Sequence, residues 1–271
     1  MDLLQAAVLG TVQGLSEFLP ISSSGHLIMV PFLLGWPPHS QAFDLALHLG
    51  TLIALLWFFW ADWLSLIRGF FRGLFSASAR AEDPAWRMAL LVLLGSIPAG
   101  LIGIVAEKPV ETLFRSPVLN AVLLTVFGLV LYGADRMASL KRSMDDLGWP
   151  DALTMGLAQA IALMPGVSRS GITMTAGLLR GLDRPTAARF SFLLSGPIIG
   201  AAAVFKLRDG IPSSELAGAA VGAVTSAVVG FIAIGVLLRY VQRNSLAVFV
   251  IYRVLFGLLI IAVDLARGSA V

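Results

Sequence analysis

An all-α fold of membrane-spanning helices is what this sequence predicts, and three observations predict it. Of 271 residues, 58% are hydrophobic and only 13% are charged, whereas a soluble domain is about half apolar and a quarter charged. Six apolar stretches reach or approach the roughly 20 residues that cross a bilayer as a helix. Two more apolar segments are interrupted several times by Gly and Pro.

This balance excludes a disordered chain, a coiled coil and an ordinary soluble enzyme. Six uniformly apolar helices cannot all be buried cores in a chain of 271 residues, so lipid is the solvent they suit. The net charge of +3 is small and dispersed, and no nucleic-acid partner is expected. There is no cysteine, which excludes disulfides, iron–sulfur clusters and cysteine-based zinc sites. The N-terminus MDLLQAAVLG lacks a basic region and an A-x-A site, so no cleaved signal peptide is expected.

Taken in order, the first element is the broken segment at roughly 1–36, with Gly10, Gly14, Pro20, Gly25 and Pro31. Gly and Pro interrupt the helical hydrogen-bond ladder. Such backbone survives at membrane depth only where protein or a wet cavity satisfies it. The segment is therefore read as a re-entrant hairpin. Spans follow at roughly 43–60, 88–106 and 118–134. Between the first two, Arg68 and Arg72 with Phe70, Phe71 and Phe75 predict an amphipathic helix in the interface. Trp57, Trp60, Trp63 and Trp86 fall where an interfacial aromatic belt would lie. The connector WPPHSQ places His39 in solvent.

A second broken segment runs over roughly 150–182, with Gly156, Pro165, Gly166, Gly171 and Gly177. Spans at roughly 187–205, 216–238 and 246–264 complete the chain. Gly218, Gly222, Ser226 and Gly230 recur every fourth residue in the fifth span. That is a close-packing face, used either within the bundle or in a homodimer. With the 61–87 loop on the cytoplasmic side, inside loops hold twelve Lys and Arg; outside segments hold five, namely Lys108, Arg115, Lys206, Arg208 and Arg267. The bias fits the positive-inside rule. It opens the first hairpin outward and the second inward.

The two broken segments match at a constant offset of 146: Gly10/Gly156, Gln13/Gln159, Ser22/Ser168, Ser24/Ser170 and Gly25/Gly171, continuing to Leu47/Leu193 and Gly50/Gly196. The chain is read as a single membrane domain, 1–271, with one repeat over 1–135 and another over 150–271. Each repeat is a re-entrant hairpin plus three spans. Three is odd, so the second copy is inverted and the hairpin tips meet near the midplane.

Ionisable groups inside apolar segments are costly and mark function. The first hairpin carries Gln13, Glu17 and His26, and the second carries Arg169. Ser22, Ser23, Ser24, Ser168, Ser170 and Thr173 surround them. Gln13 and Glu17 are four apart and share a helix face. Their oxygens suit a hard divalent cation such as Mg²⁺, with Ca²⁺ as the alternative, completed by water and phosphate oxygens. The plain alternative is a hydrogen bond between helices. SSSGH and SRSG are Ser/Gly loops whose amides can cradle an anion, and Arg169 adds a planar fork for phosphate oxygens. Small residues serving only close packing would be the structural reading. His26 is a candidate acid, base or nucleophile, the plain alternative being that it bonds a carbonyl and orients the loop, and Ser23 is a candidate nucleophile. His48 and Asp44 are read as a supporting pair, and Arg253 and Asp264 as partners within the bundle with no assigned role.

These motifs resemble the bacitracin-resistance type of undecaprenyl-diphosphate phosphatase over nearly the whole chain. The strongest parts are GTVQGLSEFLPISSSGH at 10–26 and PGVSRSGIT at 165–173, with RFSFLLSGPIIGAA at 189–202 and IYR at 251–253. The resemblance implies catalytic Glu17, Ser23, His26 and Arg169. It implies phosphate contacts from Ser22, Ser24, Gly25, Ser168, Arg169, Ser170, Gly171 and Thr173, and a cation near Gln13 and Glu17. Gln13 stands where many members have Glu, which removes one charge from that cation site. The implied protein is a multi-pass enzyme of the bacterial inner membrane, its site facing the periplasm. It removes the terminal phosphate of a C55 polyprenyl diphosphate, recycles the carrier for peptidoglycan synthesis and blunts bacitracin. Attack by Ser23 with His26 as its acid/base partner is the expected chemistry; the reverse assignment and direct attack by water also fit. The rival reading is a lipid-phosphate or anion transporter with the same inverted-repeat architecture.

Overall fold

The computed structural model describes residues 2–113, 116–206, 208 and 210–268, with the backbone alone for 106–113. Lys108's side chain and Arg115, counted above among the outer charges, lie outside the described residues. Among the described residues the regular structure is α-helix, with short 3-10 turns and one isolated bridge between connecting loops.

Twelve helices follow in order among the described residues: α1 Leu3–Phe18, α2 Ser23–Leu34, α3 Gln41–Phe58, α4 Trp60–Phe75, α5 Ala77–Glu82, α6 Pro84–Leu113, α7 Pro117–Met137, α8 Trp149–Ile161, α9 Arg169–Leu179, α10 Arg184–Lys206, α11 Leu216–Tyr240 and α12 Ala247–Ala266. Local chemistry sets many of the ends. Asp2 accepts from the Gln5 amide at 2.7 Å and starts α1. Ser40 and Ser116 cap α3 and α7 through the amides of Phe43 and Leu119. Gly35, at φ 67°, ends α2 in the left-handed conformation that glycine adopts without steric cost.

Among the described residues six helices are long and apolar enough to cross a membrane: α3, α6 over Pro84–Val105, α7, α10, α11 with its preceding turn, and α12. They coincide with the six expected spans, and the protein is a multi-pass membrane protein. The expected amphipathic segment is α4, separated from α3 by Phe59 alone. Its Arg68, Arg72, Phe71 and Phe75 are exposed, while Gly69 and Gly73 lie against Ala85 and Trp86 of α6.

Both broken segments are helix–break–helix pairs. α1 packs on α2 and α8 packs on α9. Each pair also packs against a span from the other half of the chain: α1 on α11, and α8 on α6. Both crossings are glycine on glycine. A Cβ on Gly10 would lie 2.5 Å from the Gly222 carbonyl oxygen, and one on Gly156 would lie 2.3 Å from that of Gly95. Ser226 Oγ donates to the Leu47 carbonyl at 2.8 Å, and Gly230 faces Phe18 and Ala54. The small-residue face of α11 is thus occupied within the subunit, the first of its two expected uses, and it gives a homodimer no support.

Ion pairs gather at the helix ends carrying most of the basic residues. Arg189 pairs with Asp62 and Arg184 with Asp135, each at 2.5 Å. Arg142 and Arg180 converge on buried Asp151 at 2.6 and 2.9 Å. Asp135 also accepts from the Leu246 amide at 3.0 Å, fixing the turn into α12. Burial pushes the Asp151 carboxyl up, but the hydrogen bonds from Arg142 and Arg180 outweigh it and hold the group at about 2.

Candidate active site

The site is built where α1, α2, α8 and α9 break. Residues 19–22 join α1 to α2, and residues 162–168 join α8 to α9. Each break ends on a serine with positive φ, Ser22 and Ser168, both at 75°. Left-handed backbone is disfavoured for residues with a Cβ and persists only where packing over-determines it. That packing is the other tip. Gly166 N donates to Ser22 Oγ at 3.1 Å. Ser170 Oγ donates to the Leu19 carbonyl at 3.1 Å. A Cβ on Gly25 would lie 3.3 Å from the Gly166 backbone. The two tips therefore pack directly on one another.

Glu17 sits at the centre, 6% exposed. Its Oε1 accepts from Arg169 Nη2 at 2.7 Å. Its Oε2 accepts from Ser23 Oγ at 2.5 Å and from Gln13 Nε2 at 3.1 Å. His48 Nε2 lies 3.9 Å from the same oxygen. One carboxylate thus joins Gln13, Ser23 and Arg169, which lie on both broken segments. Arg169 Nη1 is buried with no protein partner, an unused donor beside the Ser23 hydroxyl's acceptor. The N-termini of α2 and α9 converge there as well, and helix N-termini favour anions. The His48 side chain is 34% exposed against 5% for Glu17.

His26 makes the carbonyl contact that was its plainer alternative. Its Nδ1 bonds the Ser22 carbonyl and its Nε2 bonds Tyr252 Oη, each at 2.7 Å. The ring stacks on Phe256 at 4.6 Å. In this geometry the group touching the Ser23 hydroxyl is Glu17, and His26 holds the carbonyl of the positive-φ residue before it. The reason is helical: Ser22 caps α2, so the ring of His26 falls one turn on, beside the Ser22 carbonyl. His39 is not solvated as its connector suggested. Its side chain is 9% exposed and its Nε2 bonds Asp44 at 2.6 Å.

Most of the predicted phosphate-binding hydroxyls are engaged with protein. Ser168 Oγ accepts from the Gly171 amide at 3.1 Å. Thr173 Oγ1 shares a 2.6 Å hydrogen bond with Ser191 Oγ. Ser170 and Ser22 join the tips as described, and Ser24 is half-buried beside Ser23. Arg253 went unassigned in the sequence, yet it lies between the tips. Its guanidinium bonds four backbone carbonyls, those of Leu124, Pro20, Gly166 and Val167. An intramembrane arginine was the available signal; its backbone partners leave no trace in side-chain spacing.

For a metal, Gln13 Oε1 is buried with no partner, one turn from Glu17. Gln13 presents its Nε2 to Glu17 here, so its Oε1 and the carboxylate fit part of a hard cation's shell only with the amide turned over. Among the described residues no group of three or more His, Asp or Glu is placed to hold a metal, so water and substrate oxygens would complete the coordination.

Fold and site together define a multi-pass membrane protein with a carboxylate–hydroxyl–guanidinium cluster buried where two broken helices meet. The family profile described as bacitracin resistance protein BacA matches residues 6–259, and the chain belongs to that family. Similar curated proteins carry the name undecaprenyl-diphosphatase. The one from Moorella thermoacetica is 50% identical over 97% of this chain and 98% of its own. Those from Pelotomaculum thermopropionicum and Geobacter sulfurreducens are 47% and 49% identical, each over 98% of this chain and covering 98% and 100% of their own lengths.

Proposed function

We infer that this protein is a membrane-embedded hydrolase that converts undecaprenyl diphosphate to undecaprenyl phosphate and inorganic phosphate. Membership of the family and near-half identity to full-length relatives of that name support the activity. The observation that carries the chemistry is Ser23 Oγ at 2.5 Å from a carboxylate whose other oxygen holds Arg169. A carrier would need anion donors but has no need of a hydroxyl–carboxylate pair, which disfavours the transporter reading.

In the proposed reaction the polyprenyl tail stays in lipid and the diphosphate enters between the tips. Arg169 turns its unpartnered Nη1 to the terminal phosphoryl oxygens. Ser23 Oγ attacks the terminal phosphorus and its proton passes to Glu17. The bridging P–O bond breaks, and the lipid leaves as the monophosphate. Glu17 gives that proton to the departing monophosphate; water then attacks the Ser23 phosphoester, Glu17 accepts the water's proton and returns it to Ser23 Oγ as the Oγ–P bond breaks, and inorganic phosphate departs. Gln13 Oε1 and Glu17 would hold the divalent cation, Mg²⁺ in this proposal, which when bound offsets charge on the diphosphate oxygens.

The repeat is part of the same proposal. The 146-residue offset, the matching positive-φ serines and the reciprocal packing of α1 on α11 and α8 on α6 support an inverted duplication, with 1–135 and 150–271 as its halves and both broken segments re-entrant. The basic helix ends then face the cytoplasm of a bacterial inner membrane and the first tip opens to the periplasm. There the activity would recycle the peptidoglycan lipid carrier and confer bacitracin resistance.

The test is phosphate release from a C15 or C55 isoprenyl diphosphate by the purified protein in detergent, with Mg²⁺, with EDTA and with Arg169→Ala. Metal-dependent release, lost in the variant, is expected. No release from folded wild-type protein would overturn the phosphatase reading in favour of lipid flipping.

A further inference from the structure

The last spanning helix carries an arginine that this reaction does not use. Arg253 is fully buried in α12. Its Nε donates to the Leu124 carbonyl on α7 at 2.8 Å and its Nη1 to the Pro20 carbonyl at 3.2 Å. Its Nη2 donates to the carbonyls of Gly166 at 3.3 Å and Val167 at 3.0 Å. A buried cation is ordinarily neutralised by a carboxylate. Here all four hydrogen-bond partners are backbone carbonyls, on three separate stretches of chain. Two of those stretches are the tips that carry Ser23 and Arg169.

The surroundings are shaped to this side chain. A Cβ on Gly171 would lie 2.9 Å from Arg253 Nη1, and one on Gly128 would lie 3.2 Å from Nε. The neighbouring Tyr252 reaches the same region through its hydroxyl on His26 Nε2.

What the contacts do follows from peptide geometry. The peptide is planar and trans, so a carbonyl held in one direction turns the next residue's N–H the opposite way. Holding the Val167 carbonyl therefore orients Ser168, the positive-φ residue from which α9 and Arg169 start. Holding the Pro20 carbonyl fixes the chain three residues before Ser23. The guanidinium is planar with its donors at fixed angles, so a single rigid group sets one tip against the other.

We propose that Arg253 is a positioning residue: its guanidinium clamps the two tips by their backbone carbonyls and fixes the separation of Ser23 and Arg169 that phosphoryl transfer requires. This rests on the phosphatase reading above. Lysine at this position keeps the charge but offers a point donor that cannot span carbonyls on three sides. A displacement of about 1 Å between reacting groups costs on the order of 10²-fold in rate.

The experiment compares kcat, KM and melting temperature for Arg253→Lys, Gly128→Ala and Arg189→Lys in detergent, with a C15 isoprenyl diphosphate and Mg²⁺. Arg189→Lys perturbs the distant pair with Asp62 and serves as the purely structural control. Arg253→Lys is expected to lose about 10–10² in kcat with KM within about threefold of wild type. Arg189→Lys should lower the melting temperature and leave kcat unchanged. Gly128→Ala keeps the arginine and presses on its Nε, so it reads the same effect if Arg253→Lys does not fold; a several-fold fall in kcat is expected. Wild-type kcat in folded Arg253→Lys, or in Gly128→Ala if the lysine variant does not fold, would overturn the proposal. So would a loss of kcat in Arg189→Lys that matches its fall in melting temperature as it does for Arg253→Lys. Inactive wild-type protein would instead remove the phosphatase reading on which the proposal rests.

Discussion

Glu17→Gln is the sharpest test of the site, because the substitution keeps the side chain's shape and removes its charge. In the wild-type protein Oε2 lies 2.5 Å from Ser23 Oγ and Oε1 lies 2.7 Å from Arg169 Nη2. The amide cannot take the serine proton. A positioned general base contributes about 10²–10⁴ in rate, and each factor of ten is about 1.4 kcal/mol of barrier, so kcat should fall by that range, or ~3–5 kcal/mol. Arg169 is released to the phosphate, so at saturating Mg²⁺ KM should hold or decrease. The lost charged hydrogen bond is worth ~1.5–3 kcal/mol, and a chain of this size shifts by about 2–4 °C per kcal/mol. Melting should therefore fall by about 3–12 °C, with the fold intact. The assay is phosphate release from a C15 isoprenyl diphosphate in detergent, paired with a thermal melt of the same sample. A folded variant retaining kcat within tenfold of wild type would refute Glu17 as the base, and a rise in KM with kcat preserved would reduce it to a binding group.

Three further outcomes follow from the same geometry. Gln13→Glu places a second carboxylate beside Glu17, so the Mg²⁺ concentration for half-maximal release should drop several-fold while melting in EDTA becomes lower through like-charge repulsion; an unchanged Mg²⁺ titration would remove Gln13 from the cation site. Asp151 is held at about 2, below its ordinary 3.8, so its ion pairs stabilise the protein fully above about pH 4 and lose that contribution as pH falls toward 2. The melting difference between wild type and Asp151→Asn should accordingly be constant above pH 4 and close below it. Gly50→Ala would set a Cβ 2.2 Å from the Ala223 carbonyl oxygen, which should abolish accumulation of monodisperse protein in size-exclusion chromatography; normal elution would show that α3 and α11 can separate at that crossing.

How legible this was depended on what kind of partner each residue has. The spans could be read because an apolar helix in lipid announces itself by length and composition. Gln13, Glu17, Ser23 and Arg169 could be read because charge and hydroxyl groups are conspicuous in an apolar segment, and the structure brings all four together. Spacing left His26 between two readings, because its partners are a backbone carbonyl and a tyrosine 226 positions away. Arg253 was passed over for a similar reason, since carbonyl oxygens occur at every residue and no spacing marks those that matter. The small-residue face of α11 could be seen in the sequence, but which helix covers it could not, because a GxxxG-type pattern is the same whether the neighbour is α1 or a second subunit.

The pairing of Glu17 with Arg169 has a consequence for which molecules can enter. The carboxylate occupies one arm of the guanidinium, and in the proposed reaction it is a tethered substitute for the substrate's phosphate. An arriving ligand has to compete with a group already held at bonding distance and unable to diffuse away. Chloride or a lipid phosphodiester brings a single charge, no more than the resident carboxylate, and so gains little by displacing it. A terminal diphosphate brings more charge and more oxygens, and reaches the free Nη1 as well. On the proposed reading the protein's own acid would act as a threshold, giving selectivity against the abundant singly charged lipids of the bilayer before any contact with the polyprenyl tail is made.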